Sequence, residues 1–174
     1  MKIIHELQNM KKIKIKMHEK YRDLIPKINH STDAGFDLKA RCILQYDDEL
    51  KKEIEIDISE NKFELKPSER CLVRTAAYLE LPKGYEAQVR ARSGLASKCG
   101  ITVLNSPGTV DADYRGEVKI ILFNTSKDDS FHIEIGTKIA QLIIQKVLDI
   151  EFEVAEDIND TKRGANGFGT SGLK

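Results

Sequence analysis

Two arginines and a serine in the stretch RARSGLASKCG are the first residues whose types and spacing suit a chemical task. Arg90 and Arg92 are two residues apart, so on a regular strand both guanidinium groups would lie on one face. Ser93 is the expected N-cap of a short helix over Ser93–Lys98. A guanidinium group beside a helix N-terminus suits phosphate, because both supply donors and positive potential. Surface arginines beside an ordinary helix cap stay open as the alternative.

A second candidate is the pair of aspartates in NSPGTVDADYRGEV. Asn105–Gly108 has the composition of a turn, and a regular strand after it would place Asp111 and Asp113 on one face. Aspartate is uncommon inside strands, so the pair suggests a metal ligand, a general base or a turn cap. DYRG also has good turn composition, with Asp113 first and Gly116 fourth. Asp111 is therefore the better candidate for chemistry.

Two further stretches are weaker signals by themselves. In DAGFDLKA, Gly35 suggests a close approach of the backbone to a neighbour, and Asp37 points away from Phe36 and Leu38. In GTKIAQLI, Gln141 interrupts an apolar strand and needs a polar partner if it is buried. A surface-facing glutamine is the common alternative.

The C-terminal stretch RGANGFGTSGLK resembles a phosphate-binding loop without being one. Gly164 and Gly169 have the spacing of such a loop, but threonine occupies the lysine position, and too few residues follow to form the helix. The stretch can still wrap phosphates with backbone amides and the Arg163 guanidinium if a rigid surface elsewhere completes the site. A disordered tail and a ligand-closing arm both remain open on composition.

Composition limits the remaining classes of function. The 28 basic and 28 acidic residues cancel, so no global field favours nucleic acid or a membrane surface. The three cysteines lack zinc or disulfide spacing, the four histidines are scattered, and the first residues lack the apolar core of a signal peptide or membrane span. We expect a cytoplasmic protein without a structural zinc.

The elements that must position these residues are mostly strands. Apolar residues alternate with charge in KIKIKM and EIEIDI, which predicts half-buried strands. Further strands are predicted at RCILQY, CLVRTAAYLEL, YEAQVRAR, GEVKIILFN, FHIEI, KIAQLIIQKV and EFEV. Short strands separated by turn residues predict an antiparallel sandwich or barrel with one short helix. The charged stretch from Tyr46 to Asn61 is expected to be a surface hairpin or insertion.

Taken in chain order, five stretches resemble the five motifs of the trimeric dUTPases. They are AGFDLKA, RSGLASKCG, GTVDADYRGE, GTKIAQLI and RGANGFGTSG, and the resemblance spans Ile13 to Gly172. It implies an all-β, jelly-roll-like β-barrel domain over residues 1–158, with a probable insertion at 46–61 and a flexible glycine-rich arm at 159–174. It also implies a homotrimer that shares its active sites between subunits and hydrolyses dUTP to dUMP and pyrophosphate with Mg²⁺.

The resemblance also implies roles for individual residues. Asp111 matches the catalytic aspartate that activates the water attacking the α-phosphate. The substrate-binding residues would be Arg92, Ser93, Gly94 and Gln141 near the phosphates, Asn105, Gly108, Val110 and Tyr114 around uracil and deoxyribose, and Arg163, Phe168, Gly169, Thr170 and Ser171 from the arm. No side chain is expected to bind Mg²⁺ directly, since the triphosphate and water hold it, with Asp37 acting through metal-bound water.

Two rival functions are open on the sequence. dCTP deaminase is similar in fold, but it needs a glutamate where this chain has Ile121, so its general acid/base is missing. A nucleotide-binding or regulatory protein without catalysis is the other rival, and the presence of Asp111, Arg92, Ser93 and the glycine-rich arm argues against it.

Overall fold

The computed structural model describes residues 12–47 and 49–167, and most of its regular structure is strand. In chain order the strands are β1 (Lys14–Lys16), β2 (Gly35–Lys39), β3 (Cys42–Asp47), β4 (Lys52–Asp57), β5 (Phe63–Leu65), β6 (Arg70–Glu80), β7 (Tyr85–Arg90), β8 (Ile101–Val103), β9 (Gly108–Val110), β10 (Glu117–Asn124), β11 (Phe131–Ile133) and β12 (Lys138–Lys146). A 3-10 helix spans Glu19–Leu24, and α1 spans Ser93–Cys99.

The strands form one large and two smaller antiparallel sheets. The large sheet has the order β4-β3-β6-β10-β8, with β1 paired to the far end of β6. A four-stranded sheet has the order β2-β12-β7-β9, and β5 pairs with β11. Alternation along β10 buries Val118, Ile120 and Leu122, and these join Val89 and Leu142 of the four-stranded sheet in one apolar core. The four-stranded sheet carries the candidate site residues Asp37, Gly108, Val110 and Gln141.

Most of the predicted strands are confirmed, and so is the hairpin in the charged stretch. β3 and β4 pair from Cys42 opposite Asp57 to Asp47 opposite Lys52, and β3 then joins β6. The all-β, jelly-roll-like fold is confirmed, although the described strands form separate sheets rather than one closed barrel. The predicted helix is present and ends one residue later, at Cys99, where Gly100 adopts the left-handed conformation with φ of 66°.

The strand predicted at EFEV is wrong. Residues 147–167 contain no strand or helix, and Phe152 and Val154 are 95% and 97% exposed. A strand needs a neighbouring edge for its hydrogen bonds, and no described strand of this chain pairs with the segment. The 3-10 helix at Glu19–Leu24 was not predicted, because no apolar periodicity marks so short an element.

Candidate active site

Asp37 on β2 is the centre of a network of charged and polar side chains. The residue is 1% exposed, yet both carboxylate oxygens have partners. Oδ1 accepts a hydrogen bond from Arg92 Nε at 3.1 Å, and Oδ2 accepts one from Lys138 Nζ at 2.9 Å. Asn29 Nδ2 also donates to Oδ2 at 2.8 Å, and Asn29 Oδ1 accepts from Lys138 Nζ at 2.7 Å. A carboxylate that is costly to bury alone is thus paired with two cations.

The electrostatics of Asp37 follow from these contacts. Burial by itself raises the pKa of the carboxyl group. The hydrogen bonds from Asn29 and Lys138 and the charges of Arg92 and Lys138 outweigh burial, so the pKa lies below its ordinary value of 3.8. Asp37 is therefore ionised at neutral pH and holds Arg92 by a charge-assisted hydrogen bond.

Strand register brings three of the sequence motifs together around this network. Gln141 on β12 lies opposite Asp37 of β2 on one side and opposite Arg90 of β7 on the other. The expected close approach at Gly35 is present, but the neighbours are side chains rather than backbone. A Cβ atom on Gly35 would lie 2.9 Å from Ile143 Cδ1 and 3.3 Å from the Gln141 side chain. Glycine therefore lets these β12 side chains lie against β2.

Two expectations for the stretch RARSG are wrong. Arg90 is the last residue of β7, so Arg92 lies beyond the strand and the two do not share a strand face. The exposed Arg90 guanidinium donates to Gln88 Oε1 instead. Arg92, not Ser93, is the N-cap of α1, because the chain turns from extended to helical there and the Ala96 amide donates to the Arg92 carbonyl.

Ser93 and Gly94 are the first two residues of α1, and both are exposed. The first-turn amides of a helix have no intrahelical acceptors, so they are available to a ligand. The Arg92 side chain is 27% exposed, and its Nη1 donates to the Lys138 carbonyl at 3.2 Å. A fixed guanidinium group thus lies next to the start of the helix.

The strand bearing Asp111 is shorter than expected. β9 ends at Val110, and a turn follows in which the Tyr114 amide donates to the Asp111 carbonyl at 3.2 Å. The turn therefore begins at Asp111 rather than at Asp113, and the expected sharing of one strand face is wrong. Both aspartates are exposed. Asp111 lies at the exit from a strand, where its carboxylate is accessible to solvent and ligands.

The predicted turn at Asn105–Gly108 is confirmed between β8 and β9. Gly108 and Val110 are buried, whereas Asn105 is exposed. A Cβ atom on Gly108 would lie 3.1 Å from Asn105 Nδ2 and 3.5 Å from Val89 Cβ. Glycine at this position lets the Asn105 side chain fold over the hairpin.

Tyr114 lies just beyond this hairpin with 43% of its surface exposed. Its hydroxyl donates to the main-chain carbonyl of Glu117 at 3.1 Å, so the ring folds back over the chain. Tyr114 therefore presents an exposed aromatic surface next to Asp111.

Among the described residues, the Asp37 network and the Asp111 turn are separated along the four-stranded sheet. Val110, the last paired residue before Asp111, lies opposite Ala87, whereas Gln141 and the Asp37 network lie at the row of Arg90. Ala87 and Arg90 are three residues apart on β7, or about 10 Å along a strand. The Asp37 network and the Asp111 turn thus lie at separate positions along β7.

The arm contributes one described candidate, Arg163. Its Nε donates to the Asn166 carbonyl at 2.8 Å, and the Gly164 amide donates to the Thr161 carbonyl in a local turn. Residues 159–167 are exposed throughout. The predictions for Phe168, Gly169, Thr170 and Ser171 concern residues that lie outside the described part of the chain.

Sequence reasoning missed Asn29 and Lys138, which hold Asp37. No periodicity or motif marks Asn29 in KINHSTDAG. Lys138 at the start of β12 carries a weak signal, because a lysine entering a buried strand needs an anionic partner.

The described residues contain neither a cluster of metal-ligating side chains nor a membrane-spanning helix. Across residues 12–47 and 49–167, no three His, Cys, Asp or Glu side chains are grouped so that they could hold a metal ion. Within the same residues, no helix has the length and apolar character needed to span a membrane.

Comparison with known proteins agrees with the geometry. The dUTPase family model matches residues 56–172. The deoxyuridine 5'-triphosphate nucleotidohydrolase of Orientia tsutsugamushi is 53% identical over 110 residues, which are 63% of this chain and 74% of that protein. The Treponema denticola protein of the same name is 44% identical over 150 residues, covering 86% of this chain and 92% of that one.

Solved structures give the same result. The dUTPase of Staphylococcus bacteriophage 80alpha with dUPNHPP matches with a TM-score of 0.73 and 26% identity. The match covers 94% of this chain and 100% of the bacteriophage chain. Family model, relatives and fold therefore agree that the chain belongs to the dUTPase family and is a dUTP diphosphatase.

Proposed function

We propose that the chain hydrolyses dUTP by in-line attack of a water molecule on the α-phosphate, with Asp111 as the general base. The exposed carboxylate of Asp111 at the exit of β9 is the observation that carries this proposal. The water oxygen bonds to the α-phosphorus while the bond to the bridging oxygen of the β-phosphate breaks. Asp111 accepts the proton of the water, dUMP forms, and pyrophosphate leaves with the bond electrons.

Arg92 is proposed as the main fixed cation for the triphosphate. Its contacts with Asp37 through Nε and with the Lys138 carbonyl through Nη1 leave Nη2 to donate to phosphate oxygens. The exposed Ser93 and Gly94 add donors at the start of α1, and Gln141 lies in the same row of the sheet. Holding the phosphates in one geometry supplies a large part of the rate in phosphoryl transfer.

The contacts of Asp37 favour orientation of Arg92 over contact with metal-bound water. Both of its oxygens already accept hydrogen bonds, and the residue is 1% exposed. We therefore assign Asp37 the positioning of Arg92.

Mg²⁺ fits this site as an ion that arrives with the substrate. We assign the ion to phosphate oxygens and water, because Mg²⁺ keeps several waters and commonly binds through substrate phosphates. When bound, Mg²⁺ neutralises part of the triphosphate charge. Asp111 directly follows the hairpin between β8 and β9 and is the exposed carboxylate nearest to it in the chain.

Recognition of the nucleoside is assigned to the hairpin between β8 and β9. Uracil binds to the main chain and side chains of Asn105, Gly108 and Val110. A base with reversed donors and acceptors leaves buried groups unpaired, at a cost of about 1–3 kcal/mol each. Tyr114 packs under the deoxyribose, where a 2'-hydroxyl group would clash.

A homotrimer with shared sites is proposed from two observations. The Asp111 turn and the Arg92 network lie at separate positions along β7 in one chain, so a complete site can combine residues of two subunits. Residues 147–158 also expose a row of apolar side chains, including Phe152 and Val154, which a neighbouring subunit could cover. Size-exclusion chromatography with light scattering tests the trimer, and a monomeric active enzyme would contradict it.

The arm at residues 159–174 is proposed to close over bound nucleotide. Arg163, Thr170 and Ser171 would cover the phosphates, and Phe168 would lie over uracil. The exposed position of Arg163 supports this role. Its guanidinium group donates within the arm, to the Asn166 carbonyl, and is open to solvent.

Deamination of dCTP is disfavoured by the position that would need a glutamate. Ile121 pairs with Leu72 inside the large sheet, and its carbonyl accepts from the Leu104 amide. An apolar side chain there cannot transfer protons. Release of ammonia from dCTP would overturn this assignment, and tight binding of dUTP without turnover would favour the regulatory alternative.

The decisive experiment measures pyrophosphate release from dUTP, with dCTP, dTTP and UTP as controls, for the parent and for Asp111→Asn. We expect the variant to bind dUTP within about threefold of the parent and to lose about 10²–10⁴-fold in kcat, because a general base contributes that much. Asp113→Asn is the matched control, since Asp113 is an exposed aspartate of the same turn. Near-normal turnover by Asp111→Asn would remove Asp111 from the role of base.

A further inference from the structure

Glu117 is a buried carboxylate outside the catalytic assignments. Its residue is 4% exposed, and its Oε1 accepts a hydrogen bond from the Ala76 amide at 2.6 Å. Its Oε2 accepts from Arg74 Nε at 2.5 Å, and Arg41 Nε lies 3.7 Å from Oε1. This carboxylate is therefore locked in place by a main-chain donor and two cations.

The Glu117 side chain, at the start of β10, binds to an irregular part of the neighbouring strand β6. Glu117 pairs with Tyr78 and Lys119 pairs with Arg74, so three residues of β6 lie opposite the single residue between Glu117 and Lys119. Within this bulge Ala76 has a left-handed φ of 62°, which is rare for residues other than glycine. The hydrogen bond from the Ala76 amide to Glu117 ties the bulge to the first residue of β10.

Glu117 also controls Tyr114 through its main chain. The Tyr114 hydroxyl donates to the Glu117 carbonyl at 3.1 Å. Gly116 lies under the folded ring, and the three atoms nearest to a Cβ built on it all belong to Tyr114, with Cε2 at 2.8 Å. Any side chain at position 116 would therefore push the ring out of this position.

We propose that Gly116 and Glu117 are positioning residues that set the discrimination between deoxyribose and ribose by holding the Tyr114 ring. The inference rests on the proposed packing of Tyr114 under the sugar. A ring held at both ends, by its backbone and by its hydroxyl, cannot yield to a 2'-hydroxyl group. A ring without the hydrogen bond, or displaced by a Cβ, leaves room for ribose.

The test compares kcat/KM for dUTP with kcat/KM for UTP, and expresses discrimination as their ratio. Tyr114→Phe loses one hydrogen bond, and we expect the ratio to fall about 3–10-fold. Gly116→Ala displaces the ring, and we expect a fall of about tenfold or more. Tyr46→Phe is the matched control, because Tyr46 is an exposed tyrosine on the β3–β4 hairpin.

Glu117 is tested by a pair of substitutions. Glu117→Gln keeps an acceptor for the Ala76 amide, and we expect its discrimination to stay within about threefold of the parent. Glu117→Ala empties the bulge, and we expect a fall in the ratio of about fivefold or more. Thermal unfolding is measured in parallel, and if Glu117→Ala does not fold, Gly116→Ala and Tyr114→Phe decide the question.

Tyr114→Ala separates this inference from the proposed function. If Tyr114→Ala leaves the ratio unchanged, Tyr114 does not read the sugar and the underlying assignment fails. If Tyr114→Ala lowers the ratio but Gly116→Ala and Tyr114→Phe match the parent, the positioning by Gly116 and Glu117 is refuted. A lowered ratio in all three variants, with a normal ratio in Tyr46→Phe, supports the inference.

Discussion

Asp37→Asn tests the electrostatic centre of the candidate site. The substitution keeps the shape of the side chain but replaces one acceptor oxygen with an NH₂ donor. In one orientation this donor faces the Lys138 ammonium group and the Asn29 side-chain amide NH₂, and in the other it faces the Arg92 guanidinium group. Either way, at least one hydrogen bond to a cation is lost.

The size of the effect follows from burial. A hydrogen bond involving a charged group is worth about 1.5–3 kcal/mol. The side chains of Lys138 and Arg92 are 39% and 27% exposed, so water recovers part of the loss. We expect the free energy of unfolding to fall by about 1.5–2.5 kcal/mol, or about 3–10 °C in Tm at this chain length.

The pH dependence gives a signature that a simple packing defect lacks. The pKa of Asp37 is lower in the folded protein than its ordinary value of 3.8. Its stabilisation is therefore fully present above about pH 4 and is lost as pH falls through the folded pKa. The difference between parent and Asp37→Asn should be equal at pH 7 and pH 5 and should shrink in stronger acid.

Urea unfolding at one protein concentration measures these differences. Asp33→Asn is the matched control, because Asp33 is exposed and, within the described residues, its carboxylate accepts from the main-chain amides of Asn29 and His30. A loss below about 1 kcal/mol for Asp37→Asn, which is the size of a neutral hydrogen bond, would refute the reasoning. So would a loss that is the same at every pH.

Four other predictions concern stability, reactivity and the arm. Gly35→Ala should cost about 1–3 kcal/mol in urea unfolding, because its Cβ would lie 2.9 Å from Ile143 Cδ1; an unchanged midpoint would mean that Ile143 moves aside. Gly100→Ala should cost about 1–2 kcal/mol, since φ is 66° and the Cβ would lie 3.0 Å from the Ser126 amide nitrogen, and an equal Tm would contradict the strain. Burial raises the pKa of the Cys71 thiol to about 12, so Cys71 should react with a thiol reagent at pH 8 only on unfolding, as mass spectrometry of native protein can check. Removing the residues after Thr161 should leave Tm unchanged and abolish most dUTP hydrolysis, and full activity would refute the closing arm.

Much of the fold could be predicted because its strands alternate in polarity. EIEIDI and GEVKIILFN show the period of two, and they form β4 and β10. EFEV shows the same period, but Phe152 and Val154 remain exposed in the single chain. Alternation indicates that a segment can pair as a strand and bury one face. It does not indicate which strand the segment pairs with.

The sequence predicts candidate site residues where a motif combines several of them in a short stretch. Asp111, Arg92 and Gln141 stand in such stretches, and all three lie on or next to the four-stranded sheet. Asn29 was not predictable, because its partner Lys138 is 109 residues away in the chain. Glu117 was not predictable either, since its side chain fills a bulge in a strand 41 residues earlier.

The sequence by itself determined the family motifs, the strand periodicity, the short helix and the turn between β8 and β9. These depend on residues close together in the chain, whose backbone preferences and polarity act locally. Only the tertiary structure decided that Asp37 holds Arg92, that the strand ends before Asp111, and that Tyr114 folds over Gly116 onto Glu117. Those outcomes depend on register between strands and on how many donors reach a buried carboxylate, and both are properties of the packed sheets rather than of any one segment.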